Sequence, residues 1–242
     1  MERIILVLIY MNVIVTGASS GIGYETVKAL AKTGENNIIA IARRKDLLNK
    51  LVKECTAFQS SKVYSLPFDL NSDDYSEITS LIKEKFHSID ILLNNAGILK
   101  SKPFQELTKS DCENLFNTNF YNTVKLIQTC LPMFNSPSHI VNISSMGGFQ
   151  GSVKFPGLSV YSATKSAVCS LTEAIAEEFK PLNIHVNCLA IGAVQTEMLK
   201  KAFPDYKAVV TAAEISSFIS DFCMNGHKYF NGKILPVSLS TP

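Results

Sequence analysis

Val13-Ile14-Val15 is a short β-branched run that passes through Thr16-Gly17-Ala18-Ser19-Ser20-Gly21-Ile22-Gly23 into a helix-forming stretch, Tyr24 to Lys32. A strand, a glycine-rich turn and a helix in immediate succession constrain the fold more than any other segment. Glycines let the backbone approach a ligand closely, and the first turn of a helix offers unpaired N–H groups and a favourable dipole to an anion. The spacing Gly17-x-x-x-Gly21-x-Gly23 is longer than G-x-G-x-x-G. Its place directly after a strand at the chain start is nevertheless the context that a dinucleotide pyrophosphate site requires. An ordinary tight turn is the alternative.

The rest of the chain alternates strand and helix patterns. Gly34 can cap the first helix, and Ile38 to Ala42 reads as the second strand of a β-α-β unit, followed by Arg43-Arg44. In a dinucleotide fold this strand's end meets the adenosine ribose, where a carboxylate would bind both hydroxyls and an arginine would pair with a 2′-phosphate. Arg43 and Arg44 can equally be solvated charges opening the next helix. Val63 to Leu66 gives a third strand, then Phe68-Asp69-Leu70; Asp69 either accepts from the adenine amino group or begins a turn near Asp74.

The continuous apolar run Ile89 to Leu93 suits a parallel strand buried on both faces, and it ends at Asn94-Asn95-Ala96-Gly97. Small and amide residues there suit a ligand, or Asn94 knits neighbouring strands. Asp111 to Phe134 has helical spacing, with Asn119 inside it. His139 to Ser144 forms a fifth strand delivering Ser144-Ser145, Ile184 to Leu189 a sixth, and Lys233 to Val237 a short seventh. Residues 197–210 read as a mobile apolar segment over a pocket, or as core.

Tyr161-Ser162-Ala163-Thr164-Lys165 opens a helical pattern reaching about Phe179, so Tyr161 and Lys165 share one face. An ammonium ~4 Å from a phenol, at an effective dielectric of ~20, favours the phenolate by roughly 4 kcal/mol and brings it near working pH. Such a group can move the proton that accompanies hydride transfer. Alone, the pair is weak evidence.

At 242 residues and 46% hydrophobic, the chain fits one large domain. A net charge of +2 without a like-charge block points away from nucleic acid and from an anionic membrane. The six cysteines show no C-x-x-C pair and no metal-ligand spacing, so they are expected to be reduced and mostly buried, and no metal is expected. Ile4 to Val15 is too short to span a bilayer and runs into Thr16-Gly17; residues 1–10 read as an extension before a domain over 11–242, in a cytoplasmic protein.

Thr16-Gly17-x-x-x-Gly21-x-Gly23, Asn94-Asn95-Ala96-Gly97, Asn119, Ser145 and Tyr161-x-x-x-Lys165, in this order, resemble the short-chain dehydrogenase/reductase family across almost the whole chain. The resemblance implies a doubly wound, parallel seven-stranded sheet with helices on both faces. It also implies NADP(H), or NAD(H), for carbonyl–alcohol interconversion on a small-molecule substrate. By position, Tyr161 is the acid/base, Lys165 lowers its pKa and holds the nicotinamide ribose, Ser145 binds the substrate oxygen, and Asn119 holds a relay water. Gly17, Ser19, Ser20, Gly21, Ile22, Gly23, Asn95, Ala96 and Gly97 would line the cofactor. Arg43, Arg44, Asp69 and Leu70 would meet its adenosine end, and Val194 and Thr196 its carboxamide. Ala42 stands where an NAD enzyme of the family usually carries aspartate, which with Arg43 favours NADP. A homodimer or homotetramer is implied, with Ala163, Ala167, Ala174 and Ala176 permitting close helix packing.

Three departures mark this chain. Ile191 precedes Gly192 where the family usually has proline, sixteen positions separate Ser145 from Tyr161, and the C-terminus lacks the frequent glycine pair. A non-catalytic cofactor-binding sensor on the same fold is the alternative function.

Overall fold

The computed structural model describes residues 10–58 and 60–239. β1 (Met11–Thr16) leads through the glycine turn into α1 (Gly21–Lys32), and β2 (Asn36–Ala42), α2 (Lys45–Cys55), β3 (Lys62–Pro67) and α3 (Ser76–Lys85) continue the alternation. β4 (Ile89–Asn94) is followed by α4 (Lys109–Phe116), a π turn over Asn117–Tyr121, and α5 (Asn122–Cys130). Next come β5 (Phe134–Ser145), α6 (Ser159–Glu178) and β6 (Ile184–Ile191). A small parallel pair, β7 (Val194–Gln195) and β8 (Val210–Thr211), brackets α7 (Glu197–Ala202), and α8 (Ala212–Asn225) and β9 (Ile234–Val237) complete the fold.

Seven strands form one parallel sheet in the order β3-β2-β1-β4-β5-β6-β9. Alternate residues of each strand serve opposite faces. Val13 and Val15 join Val27, Leu30, Leu48, Leu51, Ile215 and Ile219 in a layer with α1, α2 and α8. Ile14 turns to Ile78, Ile82, Leu126, Ile127 and Ala176, on α3, α5 and α6. Burial on both sides explains the unbroken apolar run in β4, because each fully buried Leu or Ile contributes about 1.5–3 kcal/mol. The strand order reverses between β1 and β4, so the crevice at their carboxyl ends is the topological switch point of the sheet.

Several expectations are corrected in detail. The helix expected over 111–134 is broken by the π turn, which holds Asn119 in its middle and turns that residue into the interior. The sixth strand runs on to Ile191, whose register opposite Ser145 and Val237 a proline would interrupt. Residues 197–210 contain α7 and end by pairing Val210 with Val194. Of the small residues expected to meet a partner helix, Ala176 is buried against the sheet, whereas Ala163 and Ala174 are exposed. The proposed N-terminal extension, 1–10, lies outside the described residues except for Tyr10. Among the described residues no helix is long and apolar enough to cross a membrane.

Candidate active site

The glycine turn fits its role through close packing. Gly17 and Gly21 have φ of +69° and +59°, conformations that side chains rarely adopt. A Cβ on Gly23 would lie 2.5 Å from Asn95 Nδ2 and 2.6 Å from the Gly17 carbonyl, and one on Gly17 would lie 2.8 Å from the same Nδ2. This turn is tied to the end of β4 by Thr16: its hydroxyl accepts from the N–H groups of Asn95 and Ala96, both at 3.0 Å, while Asn95 Nδ2 donates to the Thr16 carbonyl at 2.9 Å. α1 begins with no side-chain cap and no acidic residue in its first turn, so its opening N–H groups remain available to an anion. Thr196, which caps α7, lies across from this opening, 3.4 Å from where a Gly21 Cβ would stand. The cradle fits a dinucleotide pyrophosphate.

At the adenosine end the two arginines part. Arg44 donates from Nε to Ser19 Oγ at 3.2 Å and from Nη2 to Ser20 Oγ at 2.6 Å, and its Nη1 lies 3.9 Å from Glu197 on α7. It therefore spans the mouth of the glycine turn. Arg43 is exposed and forms no hydrogen bond or ion pair with the described residues. Asp69 Oδ1 accepts from the main-chain and side-chain nitrogens of Asn71, both at 3.0 Å, so in this structure the carboxylate shapes a turn, beside the partly buried Leu70. Asn94 knits strands as one reading allowed, donating to Asn142 Oδ1 at 2.9 Å.

The polar residues singled out in the second half of the chain gather at the carboxyl ends of β4 and β5, against the start of α6. Ser145 closes β5, and its Oγ accepts from the Gly147 N–H at 3.1 Å. The glycine pair after it lets this turn lie on α6, since a Cβ on Gly148 would stand 2.5 Å from the Lys165 carbonyl carbon. Ser144 Oγ donates to the Lys165 carbonyl at 2.8 Å and Ser166 Oγ to that of Gly148 at 2.8 Å, which fixes helix and turn to each other. Asn119 uses Oδ1 to accept from Ile98 N at 2.8 Å and Nδ2 to donate to the Ile98 carbonyl and Thr164 Oγ1 at 3.0 and 3.1 Å. A Cβ on Gly97 would meet Asn119 Oδ1 at 3.2 Å and Lys165 Nζ at 3.3 Å, so the amide and the ammonium border the same glycine.

The electrostatics differ from the sequence expectation. Burial raises the Tyr161 phenol above its ordinary value, and the neighbouring Ser145 hydroxyl draws it partway back. Lys165 does not enter: its Nζ donates to the Ile143 carbonyl at 2.9 Å, and burial brings its own pKa down to about 8. One turn of helix brings two side chains onto one face, but it does not decide which partner a long lysine takes. Sequence reasoning also missed Thr16, Ser144 and Thr164, which hold the named residues in place. Only Thr16, inside the glycine motif, carried a signal.

A cleft of about 930 Å³ opens between residues 101–105 and 154–157. It is floored by Ser159, Ser162, Ala163 and Ser166 of α6, a strip that includes neither Tyr161 nor Lys165, so size alone does not locate the chemistry.

Comparison with known proteins agrees with this architecture. The model of the family described as short chain dehydrogenase matches residues 11–207. A 3-oxoacyl-[acyl-carrier-protein] reductase of Staphylococcus epidermidis is 32% identical over 201 residues, covering 81% of this chain and 80% of its own. The crystal structure of a short chain dehydrogenase from Burkholderia cenocepacia in complex with NADP superposes with a TM-score of 0.84 at 23% identity, covering 94% and 96% of the two chains. A 3-ketoacyl-(acyl-carrier-protein) reductase from Brucella melitensis complexed with NADH gives a TM-score of 0.83 at 23% identity, with the same coverage.

Proposed function

The chain belongs to the short-chain dehydrogenase family, and on that premise we propose that it interconverts a carbonyl and an alcohol with NADP(H) in preference to NAD(H). The observation that carries this reading is that Ser145, at the end of β5, and Tyr161 and Lys165, at the start of α6, come together while Lys165 and Asn119 border Gly97, at the edge where the glycine cradle opens.

A bound nicotinamide dinucleotide supplies or takes up the hydride. The residues that would hold it are Gly17 to Gly23 at the pyrophosphate, Asn95 to Gly97 along its length, Val194 and Thr196 at the carboxamide, and Lys165 at the nicotinamide ribose. Tyr161 donates its phenolic proton to the carbonyl oxygen in reduction and takes it back in oxidation. Burial favours the protonated phenol, the form that gives its proton to the carbonyl oxygen in reduction. The Ser145 oxygen already accepts from Gly147, which leaves its own proton to orient the substrate oxygen. Asn119, beside the Lys165 ammonium, positions the water that returns a proton to this pair. The Asn119 side-chain amide already spends both hydrogens on Ile98 and Thr164, so that water is held by an oxygen of Asn119.

The cofactor preference follows from charge. Ala42 ends β2 without a carboxylate to repel a 2′-phosphate, and the Arg44 guanidinium crosses the same opening. The exposed face of α6 with Ala163, Ser166 and Ala174 is the surface on which a homodimer or homotetramer would form.

The reading is tested by following the nicotinamide absorbance with NADPH and a panel of ketones, aldehydes and alcohols. A 3-oxoacyl thioester belongs in that panel because of the Staphylococcus epidermidis relative. Turnover with at least one member is expected, and cofactor binding without turnover on any would leave only a cofactor-binding protein.

A further inference from the structure

Cys169 on α6 and Cys188 on β6 bring their sulfurs to 4.0 Å across the helix–sheet interface. Neither has a role in the chemistry above. Cys169 Sγ donates to Ser144 Oγ at 3.3 Å, and the same hydroxyl donates to the Lys165 carbonyl at 2.8 Å. The two thiols, one serine and the helix turn that carries Lys165 thus form one connected cluster. Cys188 is fully buried between its neighbouring strands, whereas Cys169 is partly exposed and offers a small oxidant a way in.

We propose that Cys169 and Cys188 are a peroxide-oxidisable thiol pair whose cross-linking displaces Lys165 and suppresses activity. The thiolate is the reactive form of cysteine, and the two thiols are unequal. Hydrogen bonding with Cys188 brings the Cys169 thiol below its ordinary value, while the same contact and burial hold the Cys188 thiol well above its own. Burial, the largest cause in each, takes Cys55 to about 11 and Cys130 to about 12 and pushes Cys223 up further, so these thiols rest unreactive.

The chemistry balances with a hydroperoxide as oxidant. The Cys169 thiolate attacks the terminal peroxide oxygen, the O–O bond breaks, and the departing oxygen takes up a proton as water or alcohol, leaving a sulfenic acid. Cys188 sulfur then attacks Cys169 sulfur, the S–O bond breaks, and water leaves with the Cys188 proton. The two thiols lose two electrons and the peroxide gains them. A sulfur–sulfur bond is about half the present separation, so the sulfurs must close on each other. Cys188 is fixed within the sheet, and closure therefore draws the Cys169 turn of α6 inward together with the neighbouring turn of Lys165. Misplacing a reacting group by about an ångström costs on the order of a hundredfold in rate. The loss of activity rests on the proposed function; the cross-link does not.

The test treats the full chain with hydrogen peroxide, then maps thiols by non-reducing digestion and mass spectrometry, with turnover and NADPH binding measured alongside. The expected result is a Cys169–Cys188 linked peptide two hydrogens lighter than the free pair. Turnover should fall on the order of a hundredfold and return with dithiothreitol, and Cys188→Ala should stop at the sulfenic acid of Cys169. Two free thiols after treatment of the folded wild-type chain would overturn the proposal without recourse to any variant. So would a cross-link that leaves both turnover and NADPH binding unchanged. If no substrate turns over, the linked peptide and the NADPH affinity still decide the matter, which separates this proposal from the enzymatic one.

Discussion

Lys165 Nζ donates to the main-chain carbonyl of Ile143 at 2.9 Å, in a pocket that leaves the lysine 5% exposed. A single hydrogen bond compensates poorly for taking an ammonium out of water, which is why its pKa falls to about 8. The folded chain therefore binds this proton less tightly than the unfolded chain, whose lysine titrates near 10.4. Below pH 8 the cost of the buried charge is fully present, and stability gains as pH rises from about 8 to the unfolded value. Replacing the ammonium by an apolar group of similar shape should relieve about 3 kcal/mol, offset by about 1 kcal/mol for the bond lost at Ile143. Lys165→Met is expected to unfold at higher urea than the parent at pH 7 and to have lost turnover. A lower urea midpoint for the variant would show that the lysine supports the fold.

Arg44 rather than Arg43 reaches the serines of the glycine turn. A charge-assisted bond from arginine to phosphate is worth roughly 1.5–3 kcal/mol, or about ten- to a hundredfold in preference. Arg44→Ala should lower the ratio of kcat/KM for NADPH over NADH by that factor, and Arg43→Ala should change it less. An unchanged ratio in Arg44→Ala, with a lowered one in Arg43→Ala, would return the phosphate contact to Arg43.

His139 is buried with both ring nitrogens engaged, Nδ1 with the Cys223 carbonyl and Nε2 with Asn187 Nδ2, each at 3.0 Å. Burial takes its pKa down to about 3, and the nearby His227 and His185 rings oppose a further positive charge. Because the unfolded histidine titrates near 6.5, the unfolded chain binds the proton first. Stability from this residue is complete above 6.5 and falls by about 1.4 kcal/mol per pH unit between there and 3. Urea midpoints measured from pH 7 to pH 5 should show that slope in the parent, and it should flatten in His139→Phe. An equal slope in both chains would assign the acid sensitivity to other groups.

The fold was legible because its signals are local. Short β-branched runs such as Val13 to Val15, the glycines that follow, and the unbroken apolar run of β4 each carry their structure in adjacent residues. Asn119, a poor helix former inside a helical pattern, marked an irregularity, but the π turn depends on Ile98 and Thr164, far away in sequence. The partner of Lys165, the division of work between Arg43 and Arg44, and the meeting of Cys169 with Cys188 depend on packing between helices and strands. No spacing within the sequence encodes them.

The account rests on Tyr161 as the proton donor, and its most direct test is the Tyr161→Phe substitution. The phenyl ring keeps the packing against Leu115 and Leu158 and removes only the hydroxyl. With a substrate identified in the panel, kcat should fall by about 10²–10⁴-fold while NADPH affinity stays near that of the parent. Turnover within a few-fold of the parent would contradict the assignment.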